Sequence, residues 1–173
     1  MLATTGGAVA IGLAGCVGRS NESTGSGELG DPAEHVRVEV MSIPRPQLDR
    51  HLVHVDVGGT VEWVGRGQRN AVATYHPETY RHQRIPDDAE PWTSGILRDG
   101  DRFEVTFDVE GIHDYVDPTA FCSTHEAIGV VGRVVVGWPD LDDEPALQHD
   151  PEELPSRAAT VMKQCNERCR ELL

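Results

Sequence analysis

Lysine is almost absent from this chain. Lys163 is the only one among 173 residues, and every other basic side chain is an arginine. Basic residues number 15 against 29 acidic ones, for a formal net charge of -14. That sign of charge argues against nucleic acid as a partner, because phosphate backbones are held by Lys and Arg. An acid excess with so little lysine fits a protein that stays soluble in very high salt. There, charges are screened within about 3 Å at 1 M, and self-repulsion costs little. The composition therefore predicts a halophile; an acidic mesophilic protein from a GC-rich genome is the alternative.

A membrane-spanning run is also missing from the apolar N-terminus. MLATTGGAVAIGLAGC, residues 1–16, falls short of the roughly 20 apolar residues that a spanning helix needs. It fits the apolar region of a signal peptide. Its Leu13-Ala14-Gly15-Cys16 ending resembles a lipoprotein processing box, in which the cysteine is lipidated and becomes the new N-terminus. Ordinary signal cleavage, or a buried segment of a cytoplasmic protein, are the alternatives. The positive region that opens a signal peptide is lacking, since only Met1 precedes Leu2; an earlier translation start is expected. Residues 17–34, VGRSNESTGSGELGDPAE, have no periodicity and are rich in Gly and Ser. They read as a flexible tether of the kind that holds a domain off a membrane surface.

Cysteines are few. The four fall in three contexts, Cys16, Cys122 and the pair Cys165 and Cys169, and do not make a disulfide framework. Enzyme signatures are lacking as well. There is no nucleophile elbow with a Ser-His-Asp set, no phosphate loop and no second cluster of three metal ligands. A nucleophilic Cys122–His125 pair is too close in sequence for a usual dyad. The chain therefore carries no signature of an enzyme and reads as a non-enzyme.

What is present is a set of strands. Its length suits one domain with tails. HVRVEVMSI, from His35, alternates apolar and polar residues. LVHVDVGGTVEWVG gives two runs split by Gly58-Gly59. AVATY, FEVTFDVEGIHDYV and GVVGRVVVG complete the set. Six or seven short strands, with no helix before residue 155, predict an antiparallel sandwich or small barrel over residues 35–137. HPETYRHQRIPDDAEPWTSGILRDGD is a long Pro-punctuated excursion, and such loops are usually functional or mobile. Residues 138–154 read as an acidic linker. Residues 155–173 read as a helix with an apolar stripe of Ala158, Val161, Met162, Cys165, Cys169 and Leu172, and with Ser156 as its N-cap. On that stripe Cys165 and Cys169 read as two buried small positions, with a metal or redox pair as the alternative.

The stretch FCSTHEAIGVVGRVVV, residues 121–136, places a thiol and an imidazole three residues apart. Soft sulfur beside nitrogen is what copper selects. The stretch resembles the C-terminal half of cupredoxins, the plastocyanin, azurin and halocyanin group. In that group an aromatic-Cys pair, two residues, a His, four residues and a Met close the site before the last strand. VEWVGRGQRNAVATYHPE resembles the group's other ligand region, and RIPDDAEPWTSGIL the following loop in haloarchaeal members. In exported haloarchaeal proteins that this one resembles, the apolar N-terminal stretch often follows a twin-arginine pair.

The resemblance covers residues 35–137. It implies an all-β Greek-key β-sandwich with an appended C-terminal helix, and one copper ion held by the Cys122 thiolate and the His125 imidazole. It also implies electron transfer at the outer face of the cytoplasmic membrane to an unidentified redox partner protein. Three departures stand out. Val130 occupies the axial Met position. Asn70, or Arg69 if the register slips by one, occupies the first His position. About five residues, including Asp117-Pro118-Thr119-Ala120, intervene before the cysteine. His76 is the nearest substitute imidazole, while His51, His54, His82 and His113 read as surface or strand residues. A cupredoxin-fold binding or structural module that has lost copper is the rival reading.

The acidic composition carries its own test. Thermal unfolding followed from about 0.15 M to about 1 M salt should show a rising midpoint as self-repulsion is screened. A midpoint that stays flat or falls contradicts the halophile reading.

Overall fold

The computed structural model describes residues 25–120 and 124–173; Cys16 and Cys122 lie outside the described residues. The described residues form seven strands, with a 3-10 turn at Glu126–Ile128 before the last, and helices after them. They are β1 (Ala33–Met41), β2 (Gln47–Leu48), β3 (Leu52–Arg66), β4 (Ala73–Thr74), β5 (Arg102–Phe107), β6 (Gly111–Val116) and β7 (Val131–Val136), then the helices α1 (Pro145–Gln148) and α2 (Ser156–Leu172).

β3 organises the rest. Its first half, Leu52 to Val55, pairs with β7, and its second half, from Gly59 on, pairs with β1 on one side and β5 on the other. The two runs expected around Gly58-Gly59 are thus one strand of 15 residues. It bends where Gly58 takes φ 84°, a conformation that favours a residue without a Cβ. A Cβ on Gly59 would stand 2.8 Å from the Asp56 carbonyl. The bend carries the chain from one layer, β3-β7-β6-β4, to the other, β2-β1-β3-β5. Val36, Val38 and Val40 of β1 share one core with Val53, Val55 and Trp63 of β3 and Val134 and Val136 of β7. Alternation puts every second side chain of β1 into that core, as a half-buried strand requires.

The expected antiparallel arrangement is corrected by the structure, because β1–β3 and β3–β7 are parallel pairs. Period-two patterning reports which face of a strand is buried and is silent on the direction of its neighbour. β6 and β7 are buried along their whole length. One face meets the sandwich core. The other is covered by α2 and the segment before it: Val116 and Val131 pack with Leu154, Ala158 and Met162, and Ile112 and Val135 with Ala146 and Cys169. The continuous apolar run in β7 follows from coverage on both faces.

Residues 138–154 are therefore not free of the sandwich. Glu144 is buried, and its Oε2 accepts a hydrogen bond from the Ile112 amide at 2.8 Å. Residues 25–34 also join the fold. His54 Nδ1 accepts from the Gly30 amide at 3.0 Å, and His54 Nε2 donates to the Gly137 carbonyl at 2.6 Å. Ser156 is not the N-cap of α2. Pro155 holds that position with φ -54° and ψ 143° and gives no side-chain cap, while Ser156 is the first helical residue. Proline's fixed φ presets the entry to the helix. The α2 stripe is buried from Ala158 to Cys169 and ends at the exposed Leu172. Cys165 and Cys169 are free, buried thiols. Burial pushes Cys165 up to about 12 and also raises Cys169, although Arg133 works in the opposite direction at both. Both therefore stay as unreactive thiols. No helix among the described residues is long and apolar enough to cross a membrane.

His113 of β6 makes stability depend on pH. Burial lowers its affinity for a proton from the usual 6.5 to about 4, despite the Val109 carbonyl and the charges of Asp114 and Asp88. Between those values the unfolded chain holds a proton that the folded chain does not, so stability rises with pH across the window. The contribution is complete above about 6.5 and is lost as the pH falls toward 4, a difference on the order of 3 kcal/mol. Urea unfolding at several pH values should show this slope, and His113→Gln should flatten it. An unchanged slope in the variant would exclude His113 as its source.

Candidate metal centre

The loop from β6 to β7 carries the thiol–imidazole motif, and Asp117 closes it. The Asp117 amide donates to the Val130 carbonyl at 2.9 Å, and the Val130 amide donates to the His125 carbonyl at 3.0 Å. One carboxylate oxygen of Asp117 accepts from the Thr119 amide at 2.8 Å. The other lies 2.7 Å from His125 Nδ1. The His125 amide completes the ring of contacts by donating to the Thr119 carbonyl at 2.9 Å. His125 is 6% exposed. Because an ionised carboxylate only accepts, Nδ1 carries the proton, and in the neutral ring Nε2 keeps a free lone pair. A carboxylate that orients an imidazole through its other nitrogen is the usual support of a metal-ligating histidine.

Glu126, next in the chain, is fully buried and faces the excursion. Its Oε1 accepts from Tyr75 Oη at 2.9 Å, and its Oε2 accepts from Tyr80 Oη at 2.8 Å and from the Arg81 guanidinium. Burial, and then the Glu126 charge, drive the Tyr75 phenol far above its ordinary value. Burial and the hydrogen bond to Glu126 also raise Tyr80. Both phenols therefore remain protonated donors, and a buried charge is compensated by three groups.

The other candidate ligands lie in different settings. Asn70 is buried and forms an isolated bridge with Leu97. Its Nδ2 donates to the Arg66 carbonyl at 3.2 Å, and its buried Oδ1 has no hydrogen-bond partner among the described residues. Arg69 is exposed. Val130 is fully buried in the main core. His76 is half-buried and opens a turn, where its Nδ1 accepts from the Glu78 amide at 3.2 Å. No group of three His, Cys, Asp or Glu ligands among the described residues includes His125 or His76. Cys122 lies outside the described residues. The donor set fits copper at His125, offers a hard amide oxygen at Asn70 and offers nothing at Val130.

Asp117 and Glu126 are the residues that reading the sequence for ligands missed. Asp117 stood out only as part of an unusual insertion, and Glu126 as the residue after a histidine. The carboxylate eight residues before His125 was the available signal.

The fold is that of the cupredoxins. The pseudoazurin from Methylobacterium extorquens AM1 is similar to this chain with a TM-score of 0.59 at 19% identity, over 78% of this chain and 98% of its own. A pseudoazurin from Sinorhizobium meliloti gives a TM-score of 0.56 at 21% identity, over 76% and 95%. No family model matches the chain, and no curated protein matches it.

Proposed function

We propose that this protein is a copper-binding electron carrier of the cupredoxin type, exported and held at the outer face of the cytoplasmic membrane through a lipid on Cys16. The observation that carries the proposal is the 2.7 Å contact between His125 and Asp117. It fixes the ring and leaves Nε2 for a metal, three residues after Cys122 in the same loop. When bound there, copper would supply a one-electron couple, with Cys122 as its thiolate ligand and His125 as an imidazole ligand. Asp117 holds the imidazole in place. Val130, at the position where the resemblance puts a thioether, offers no donor, and the lack of that weak ligand would raise the potential of a bound copper. The carrier would serve a redox partner protein at the membrane surface. The acidic surface suits a halophilic setting.

A copper-free scaffold is the second reading. Asn70 favours it, since its amide is turned to the Arg66 carbonyl and is a poor ligand for Cu(I).

Adding Cu(II) to the purified protein should give an intense thiolate-to-copper band. Cys122→Ser should abolish both the band and tight Cu(I) binding. Asp117→Asn should weaken copper binding by about 10–100-fold, the usual loss when an orienting partner is removed. His125→Ala should cost at least as much. Asn70→His should strengthen binding; if it does nothing while His76→Ala destroys binding, His76 is the second imidazole. A protein that stays colourless in every variant leaves the scaffold reading standing.

Anchoring has its own test, motivated by Leu13-Ala14-Gly15-Cys16 and the Gly/Ser-rich stretch after it. Mass spectrometry of the native protein should find a lipidated Cys16 at the mature N-terminus. Residues 1–15 intact on a soluble protein would sink the claim.

A further inference from the structure

The geometry points to a second metal site, for a divalent first-row cation of the zinc class, formed by His82, His149 and Glu153. One ligand atom from each lies within 4.8 Å of the other two. The two imidazole rings are 5.9 Å apart between centroids. His149 Nδ1 lies 3.7 Å from Glu153 Oε2, too far for a hydrogen bond and close enough for both to turn toward one ion. His82 makes no hydrogen bond among the described residues.

The three ligands come from two segments that are otherwise fixed. His82 follows Arg81, which takes φ 54°, a left-handed conformation uncommon outside glycine. Arg81 is held there by its contacts with Glu126 and Tyr80. On the other side, Arg84 Nη1 donates to the His149 carbonyl at 3.4 Å, while Arg84 Nε is bound to the buried Asp114. Glu153 closes a 3-10 turn, Pro151–Glu153, that is capped by the Asp150 carboxylate on the Glu152 amide at 2.9 Å. Both backbones are thus positioned without the metal.

Two imidazole nitrogens and a carboxylate oxygen form a borderline donor set with no sulfur. It suits Zn(II) and similar divalent ions and does not select Cu(I). With His149 and Glu153 at 38% and 54% side-chain exposure, a fourth position stays open to water. A bound cation would cross-link the excursion to the segment preceding α2, and so would stabilise the native state with the logarithm of its concentration once that exceeds the dissociation constant. This site is separate from the thiol–imidazole loop and does not depend on copper binding there.

Zn(II) titrated calorimetrically into chelator-treated full-length protein should bind at one equivalent in a Cys122→Ser, His125→Ala background. On that background His82→Ala and His149→Ala should each weaken binding by at least the roughly 10–100-fold seen when even an orienting partner is lost. X-ray absorption should show nitrogen and oxygen neighbours near about 2.0–2.1 Å and no sulfur near about 2.3 Å. Zn(II) should raise the thermal midpoint of the background protein and leave that of its His149→Ala derivative unchanged. Circular dichroism of the variants separates lost ligands from lost fold. No binding at one equivalent, binding that survives both His substitutions, or a sulfur neighbour would overturn the assignment.

Discussion

The carboxylate of Asp114 is the contact on which most of the molecule converges. It sits on β6 directly opposite Arg133 on β7. Arg133 grips it with two hydrogen bonds, Nε to Oδ1 at 2.7 Å and Nη2 to Oδ2 at 3.0 Å. Arg84, from the excursion, adds a third at 3.0 Å. All three side chains are at most 1% exposed. Burial works against the Arg133 charge, yet Asp114 more than offsets it, and the guanidinium is held above its ordinary range. Removing one partner of such a buried set typically costs about 3–5 kcal/mol, because the remaining charges are left uncompensated. The backbone follows the side chains. The Asp114 amide donates to the Arg84 carbonyl, the Arg84 amide to the Tyr75 carbonyl and the Tyr75 amide to the Asp114 carbonyl. Arg133 also reaches Cys169 Sγ on α2 at 3.7 Å. Two strands, the excursion and the C-terminal helix are tied to one carboxylate.

That hub explains what was legible in the sequence and what was not. The strand runs and the α2 stripe were readable because burial on one face leaves a period, and β1 and α2 show it directly. The parallel pairings were not readable, since they arise from long-range connections that leave no local mark. The packing of residues 138–154 was hidden by their acidity. Glu144 counts as a charge in any composition, and only the structure shows its carboxylate accepting from the Ile112 amide. Likewise Arg84 and Arg133 look like surface cations in a chain whose basic residues are nearly all arginine, although both are buried at the centre.

At the candidate site, the sequence offered candidate ligands by residue type and said nothing of their orientation. Cys122 and His125 announce themselves by residue type and spacing. Asp117 has no such pattern, because its role exists only once the loop has closed. Residues 117–120 are part of the departure that precedes the cysteine, and Cys122 itself lies outside the described residues. The loop ends are fixed: the Asp117 amide donates to the Val130 carbonyl and the Val130 amide to the His125 carbonyl. His125 keeps its place relative to β7 because Asp117 spans that gap with backbone and carboxylate together.

The two candidate sites share supports rather than ligands. Glu126, beside His125, holds Arg81, and Arg81 precedes His82. Asp114 holds Arg84, and Arg84 holds the carbonyl of His149. Each imidazole is thus placed by an acidic residue buried in the sandwich, acting on His125 directly and on His82 and His149 through an arginine. A chain of net charge -14 keeps most of its carboxylates in water. The few it buries are compensated by arginine, tyrosine or histidine side chains or by backbone amides, as a low dielectric demands. Those few fix the loops from which the candidate metal-binding groups project. In a sandwich whose interior is mostly valine and aromatic packing, dispersion holds the strands, and the buried carboxylates decide where the loops end up.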